Sequence, residues 1–374
     1  NEGYVLIENC WSFYNGYIPG TFVTAGNGSG FKLGETVTTS TSVKREVKNC
    51  LAFKNRSWGI VENNSLVNMN IFNNTCVQNG GANGSGGGLN FWFGAWGASP
   101  KTFKNNISYD SGTLFGDVWH TFGTDAIHSN NTWTPGFTVS STDFVSIDDS
   151  VLTKRRQNNN GLPENVFLKL SNNSPLRNAG TYVGITYSGS NPDIGYFEST
   201  GRYYFISPTG SDTLGYGSLT SSWFSLNKVW SIGPTGGDTI YLRGGTYTYT
   251  VQQYLVGNSG SSGNLLKVYS YLDESPIITR GVTFDKSGGY HKGMVFLTAN
   301  YTHFRGIRFT GMYTDDNQVD AGLYLFDTNN STFEKLECDN NVQGVFCEGS
   351  YNGLLFLNSD FHDNYSNYDG TNGG

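Results

Sequence analysis

Apolar and polar residues alternate along this chain in short runs, and each run ends in Asn or Gly. VLIENCWSFYNG (from Val5), REVKNCLAFKN (from Arg45), NMNIFNNTCVQNG (from Asn68), KTFKNNISYD (from Lys101) and DAIHSNNTW (from Asp125) share one form. It reads apolar–x–Asn–(Asn or Cys)–x–small–apolar–x–Asn. Alternation with period two predicts strands, and the Asn and Gly clusters predict the turns between them. A second series runs through HFRGIRFTG (from His303), FEKLECDNN (from Phe333) and LLFLNSDFHDN (from Leu354). Leu336 and Leu357 are expected to lie about one coil apart. Helical periodicity is almost absent, and SLTSSWFSLNKVWSIG (Ser218–Gly233) is the one stretch that predicts a helix, centred near 221–231.

Gly30-Phe31-Lys32, Gly59-Ile60-Val61 and Gly88-Leu89-Asn90 fall at one constant spacing, and Gly344-Val345-Phe346 repeats the pattern later. Self-similarity at such a period means a solenoid, in which each coil buries its face against its neighbours. Short strands with Asn-rich turns make that solenoid an all-β parallel β-helix. Asn suits the turns because it tolerates the left-handed region and its amide reaches the Asn of the next coil. The repeat breaks over Ser174–Thr200, and YYFISPTGSDT starts a fresh strand after it. The expected division is therefore 1–200 and 201–374, the first resembling the end of a β-helix and the second its beginning behind a capping helix.

Composition narrows the functions. Only 14% of the 374 residues are charged, with 50 Gly, 23 Tyr and 25 Phe. The formal charge is −7, and the one basic run is Lys154-Arg155-Arg156, so nucleic-acid binding is not expected. No long apolar run predicts a membrane span. NEGYVLIENC has neither a basic nor an apolar leader region, so no signal peptide is read there. Five cysteines without a CxxC suggest neither a disulfide framework nor a zinc site. They read as small core residues.

VLIENCWSFYNG, GNGSGFKLG and VKNCLAFKNRSWGI resemble the later half of the polysaccharide lyases of family nine, which include pectate and rhamnogalacturonan lyases. NPDIGYFE resembles that family's ending, while GGDTIYLRGGTY and FHDNYSNYDGTNGG resemble its earlier half. The resemblance implies a right-handed parallel β-helix and a calcium-assisted β-elimination on pectate-type polyuronate, an acidic plant or algal polysaccharide. It implies that Lys32, in the GFKLG strand, is the base. The family's calcium-binding aspartates lie in segments expected beyond both ends of this chain, so no metal ligand is assigned and weak or absent activity is expected. It further implies an extracellular protein, a monomer within a larger multi-module chain.

The chemistry suits such a residue. Removing the proton next to a uronate carboxylate needs a base within reach and a cation to spread the developing charge. A lysine serves only when neutral, which a nearby calcium ion and partial desolvation favour. Phe31 and Leu33 point inward, so Lys32 between them points out on a stiff mount. Gly26, Gly28 and Gly30 are read as a shallow floor for a sugar. Stacking at constant spacing sets Val61 and Asn90 beside Lys32, which makes Asn90, Arg56, Trp58 and Trp92 the candidate substrate contacts. Asp148-Asp149 is read in a terminal loop, and Asp315-Asp316-Asp320 as a solvated turn in preference to a calcium site, while Asp363 and Asp369 lead toward the expected ligand coil as a candidate lining of the same groove. Two further functions stay open: a rhamnogalacturonan lyase, and a non-catalytic glycan-binding or adhesin-type β-helix.

Overall fold

The computed structural model describes residues 3–34, 39–80, 89–94, 99–110, 120–122, 124, 126–154, 156–157, 161–282, 291–313 and 319–365. Packing divides the chain into two compact units. One comprises Asn1–Ile147 and Leu168–Ser199, the other Asp148–Phe167 and Thr200–Gly374. Each is a parallel β-helix with three sheets.

In the first unit the first sheet stacks Val5–Glu8, Val43–Lys48, Asn68–Phe72, Lys101–Lys104 and Ala126–Ser129. The second stacks Trp11–Phe13, Leu51–Phe53, Thr75–Val77 and Ile107–Tyr109. The third stacks Phe31–Lys32, Ile60–Val61, Phe91–Phe93 and His120–Phe122. Every pairing between these strands is parallel, with one register shift between Val43 and Arg45, so like positions form columns along the axis. Ile7, Val47, Ile71 and Phe103 form one such column, and Phe31, Ile60 and Phe91 another. These columns meet in the core. Burying each large side chain contributes about 1.5–3 kcal/mol.

The Asn pair of the sequence motif has two separate jobs. The first member turns the chain in the left-handed region, at Asn9, Asn49, Asn73, Asn105 and Asn130, with φ between 51° and 58°. The second points inward and joins successive coils. Asn74 N–H donates to Asn106 Oδ1 and Asn106 N–H to Asn131 Oδ1, each at 3.0 Å. Cys50 occupies the same column, its N–H donating to Asn74 Oδ1 at 3.0 Å. A second ladder runs Asn15–Asn55–Asn79–Asn90 at the next corner.

The second unit repeats the scheme. Its first sheet carries Tyr203–Ile206, Thr239–Leu242, Leu266–Ser270, Thr302–Arg305, Thr332–Glu334 and Leu355–Leu357. Tyr204, Ile240, Val268, Phe304, Phe333 and Phe356 line its inner side. Glu334 pairs with Leu357, so Leu336 stands opposite Ser359 rather than Leu357, and the coil is slightly longer than the leucine spacing suggested. The expected helix occupies Leu226–Ser231. It starts no earlier because Trp223 is held in a parallel bridge to Ile206. Ser225 then caps it, its hydroxyl accepting from Lys228 N–H at 3.0 Å. Leu226, Val229 and Trp230 enter the core, and the helix packs beside Gln253–Leu255, the edge strand of the third sheet.

Candidate active site around Lys32

Lys32 sits where alternation puts it. Phe31 and Leu33 are buried and the Lys32 side chain is exposed. Its strand is only two residues long, yet it is held firmly. Phe31 N–H donates to Gly59 O at 2.8 Å and Leu33 N–H to Val61 O at 3.0 Å. Among the described residues the Lys32 ammonium makes no hydrogen bond or ion pair.

The column containing Lys32 differs from the expected one. Lys32 pairs with Val61, and Val61 pairs with Trp92. Asn90 is two residues off that register and 0% exposed. Its carbonyl receives Ile60 N–H at 2.9 Å, and its side chain closes the Asn ladder, accepting from Asn79 Nδ2 at 2.9 Å. Asn90 is therefore removed from the outer face. The constant spacing failed because the strand pairing, not the residue count, sets the column, so Trp92 takes the place expected of Asn90. Gly88 lies outside the described residues.

Trp58 and Trp92 are brought together, with ring centroids 4.7 Å apart and planes within 14°. Each ring thus covers one face of the other. Arg56 comes from the corner before Ile60–Val61, and its Nη1 donates to Gly26 O. Its backbone N–H donates to Asn15 O at 2.9 Å, while Ser57 N–H reaches Gly28 O at 2.9 Å and Gly30 N–H reaches Trp58 O at 2.7 Å. Lys32, Arg56, Trp58 and Trp92 accordingly belong to two adjoining coils and the stacked Trp92 of a third.

Two of the glycines have a reason in the stacking of the coils. A Cβ on Gly30 would meet Gly59 O at 2.5 Å, and one on Gly28 would meet Asn15 O at 2.3 Å. Stacked backbones by themselves demand those two glycines. Gly26, at φ 109°, is open to its surroundings.

Two features were not legible in the sequence. A short hairpin over Tyr17–Thr24 precedes the lysine strand, with Ile18 N–H donating to Val23 O at 2.9 Å and Phe22 packed edge-on to Tyr14 and Tyr17. YIPGTF gave no alternation to read. Beneath the sheet, Glu62 occupies the inward position after Val61 and lies 3.1 Å from Lys101 Nζ, an ion pair with side chains 2% and 1% exposed. Only the fold brings those two residues together. Of the acidic stretches, Asp148 caps a short turn, accepting from Ser150 N–H at 3.0 Å. Asp320 is buried, and Asp315, Asp316 and Asp369 lie outside the described residues. Among the described residues no group of three Asp, Glu, His or Cys converges as a metal site.

A family model described as "Pel9A-like, right handed beta helix region" matches residues 1–91 and 204–374, which include the lysine strand and most of the second unit. The chain belongs to this Pel9A-like right-handed β-helix family. Pectate lyase L of Dickeya chrysanthemi is 38% identical over 200 residues, covering 52% of this chain and 42% of its own length. Pectate lyase L of Paenibacillus polymyxa (strain SC2) is 32% identical over 190 residues, covering 49% and 38%. This Pel9A-like chain thus spans less than half the length of those curated relatives. Among solved structures, pectate lyase Pel9A shares 36% identity with a TM-score of 0.44, over 53% of this chain and 46% of its own. A rhamnogalacturonan lyase shares 16% identity with a TM-score of 0.36, over 42% and 51%.

Proposed function

We propose that this protein is a polysaccharide lyase that cleaves a pectate-type polyuronate by β-elimination, with Lys32 as the base. The observation that carries the reading is the placement of Lys32: exposed, on a strand pinned by two backbone hydrogen bonds, in the Pel9A-like part of the chain. The names of the pectate lyase relatives support the substrate class. Neutral Lys32 takes the proton from C5 of a uronate. The C5–H electrons form the C4–C5 double bond, and the bond from C4 to the glycosidic oxygen breaks with its electrons on that oxygen, which takes a proton from solvent water. Arg56 is placed to meet a carboxylate, and the outer faces of the Trp58–Trp92 pair to meet sugar rings.

The resemblance also implies calcium, which would spread the charge developing on the carboxylate. The described residues do not fit it, since among them no three Asp, Glu, His or Cys side chains converge. No step is routed through the ion here. The separately matched stretches 1–91 and 204–374 support reading 1–200 as the later part of one lyase-like module and 201–374 as the earlier part of another, in a multi-module protein. A polymeric substrate outside the cell makes the protein extracellular.

Incubation of the full multi-module protein with polygalacturonate and Ca²⁺ should raise ultraviolet absorbance as unsaturated ends form, and Lys32→Ala should abolish the rise, while this chain alone should be weakly active or inactive. A rise unchanged by Lys32→Ala overturns the assignment of the base. A panel with rhamnogalacturonan separates that substrate from polygalacturonate. A second reading, glycan binding without turnover, is favoured by Arg56, Trp58 and Trp92, which form a binding surface whether or not a base acts. Retained polygalacturonate binding with no absorbance change on any uronate polymer selects it.

A further inference from the structure

The basic run of the sequence, at Lys154–Arg156, has no part in the site above. It belongs to the stretch Asp148–Phe167 of the second unit, which lies against the outer face of that unit's first sheet. Phe205, Tyr241, Tyr269, Arg305 and Glu334 form one outward column there. Tyr241 and Tyr269 are buried although they face outward, and so are Val166 and Phe167 of the covering stretch. Glu164 pins the stretch through a 2.8 Å ion pair to Arg305, whose guanidinium lies 3.9 Å from the Tyr269 ring centroid.

Between the stretch and the coils is a cleft of about 630 Å³, within the range of small-ligand sites. Lys154 and Arg156 enter it from the covering stretch, Arg305 and Lys335 from successive coils, and Tyr241 and Tyr271 contribute aromatic surface. Its carboxylates are already engaged. Glu164 holds Arg305, Asp273 holds Lys154 at 2.8 Å, and Glu334 lies 3.2 Å from His303 Nε2. Four cations against three carboxylates leave the lining net positive in a chain of net charge −7. Arg305 retains donors beyond the one given to Glu164, and a guanidinium matches a carboxylate in a planar fork.

We propose that this cleft binds a short segment of acidic oligosaccharide through its uronate carboxylates, held by Arg and Lys without a metal ion. An acidic sugar combines what the lining asks for: a carboxylate for the cations and an apolar ring face for the tyrosines. A cleft of this volume takes a few sugar rings, not a macromolecular surface. The identity of the anion rests on the polyuronate reading above, while the site lies in the other unit from Lys32 and on the first sheet rather than the third.

The test is isothermal titration calorimetry of trigalacturonate into the full chain, in EDTA and at low ionic strength. Saturable binding is expected, weakened about tenfold or more by Arg156→Glu with Lys335→Glu, and unchanged by Lys32→Ala. Both reversed residues are exposed, and circular dichroism verifies that the variant is folded. Absent binding by the folded wild type, or equal affinity in the double variant, overturns the proposal. Equal affinity for a neutral trisaccharide overturns the role of charge, and displacement by inorganic sulfate at equal affinity reduces the cleft to a simple anion site. Unsaturated products without binding in EDTA sink the cleft alone, and binding without products on any polymer sinks the lyase reading alone.

Discussion

Lys101 Nζ lies 3.1 Å from Glu62 Oε2 in the core of the first unit, with both side chains withdrawn from water. Glu62 stands in an inward position that hydrophobic residues fill in the coils on either side, at Leu33 and Phe93. Removing one partner takes this ion pair from a buried charge. Lys101→Met should therefore lower stability by about 3–5 kcal/mol, read from denaturant unfolding. The double variant with Glu62→Leu should recover most of that loss, because the remaining buried charge goes too. A double variant as unstable as the single would show that the ion pair itself holds the corner.

The Asn ladder gives a second stability prediction. Asn106 is fully buried; its Nδ2 donates to Ile71 O at 2.8 Å and its Oδ1 accepts Asn74 N–H at 3.0 Å. Asn106→Ala takes this partner from a donor, Asn74 N–H, and an acceptor, Ile71 O, both in the preceding coil. Each such loss costs about 1–3 kcal/mol. The loss should exceed that of Asn49→Gly, where the left-handed turn is at stake and glycine tolerates φ 51°. Melting temperatures of the two variants decide it.

How far the sequence could be read follows from these same residues. Asn73-Asn74 and Asn105-Asn106 announce a corner because one Asn must turn the backbone and the next must bridge coils, a local need written in local sequence. Lys32 was legible for the same reason, since Phe31 and Leu33 fix its direction. Asn90 was not. The pairing of Val61 with Trp92 lies two residues beyond the expected register, and nothing local marks that shift. The Lys101–Glu62 pair and the cleft under Lys154 depend on which coil or segment lies alongside, which only the assembled fold decides.

His128 makes the stability of the first unit depend on pH. It is stacked on Phe103, centroids 5.2 Å apart, and its Nδ1 accepts Trp133 Nε1–H at 3.1 Å, so the bonded ring is unprotonated there. Burial holds its pKa below the ordinary histidine value. In the unfolded chain histidine titrates near about 6.5. Below that pH the unfolded state takes up a proton that the folded state still refuses, so stability is full above it and falls as the pH drops through it. His303 in the second unit has the same sign, since burial lowers its pKa while Glu334 opposes the shift. Thermal melts between about pH 7.5 and about pH 5.5 should show a fall that His128→Phe makes shallower. An identical slope in that variant would remove His128 from the account.

Lys32 and the Trp58–Trp92 pair should separate chemistry from binding. Lys32 is exposed and makes no polar contact among the described residues, so Lys32→Ala should change stability by no more than about 0.5 kcal/mol. Loss of a general base should still lower the elimination rate about 10²–10⁴-fold, with little change in KM. The tryptophans act otherwise. Their rings stack at 4.7 Å, so removing either one unseats the other. Trp58→Ala and Trp92→Ala should each raise KM for polygalacturonate, and the double variant should be scarcely worse than either single. Additive losses would mean that each ring meets its own sugar independently. A rate loss in Trp92→Ala with KM unchanged would instead tie that ring to the position of Lys32, two strands away in the same column.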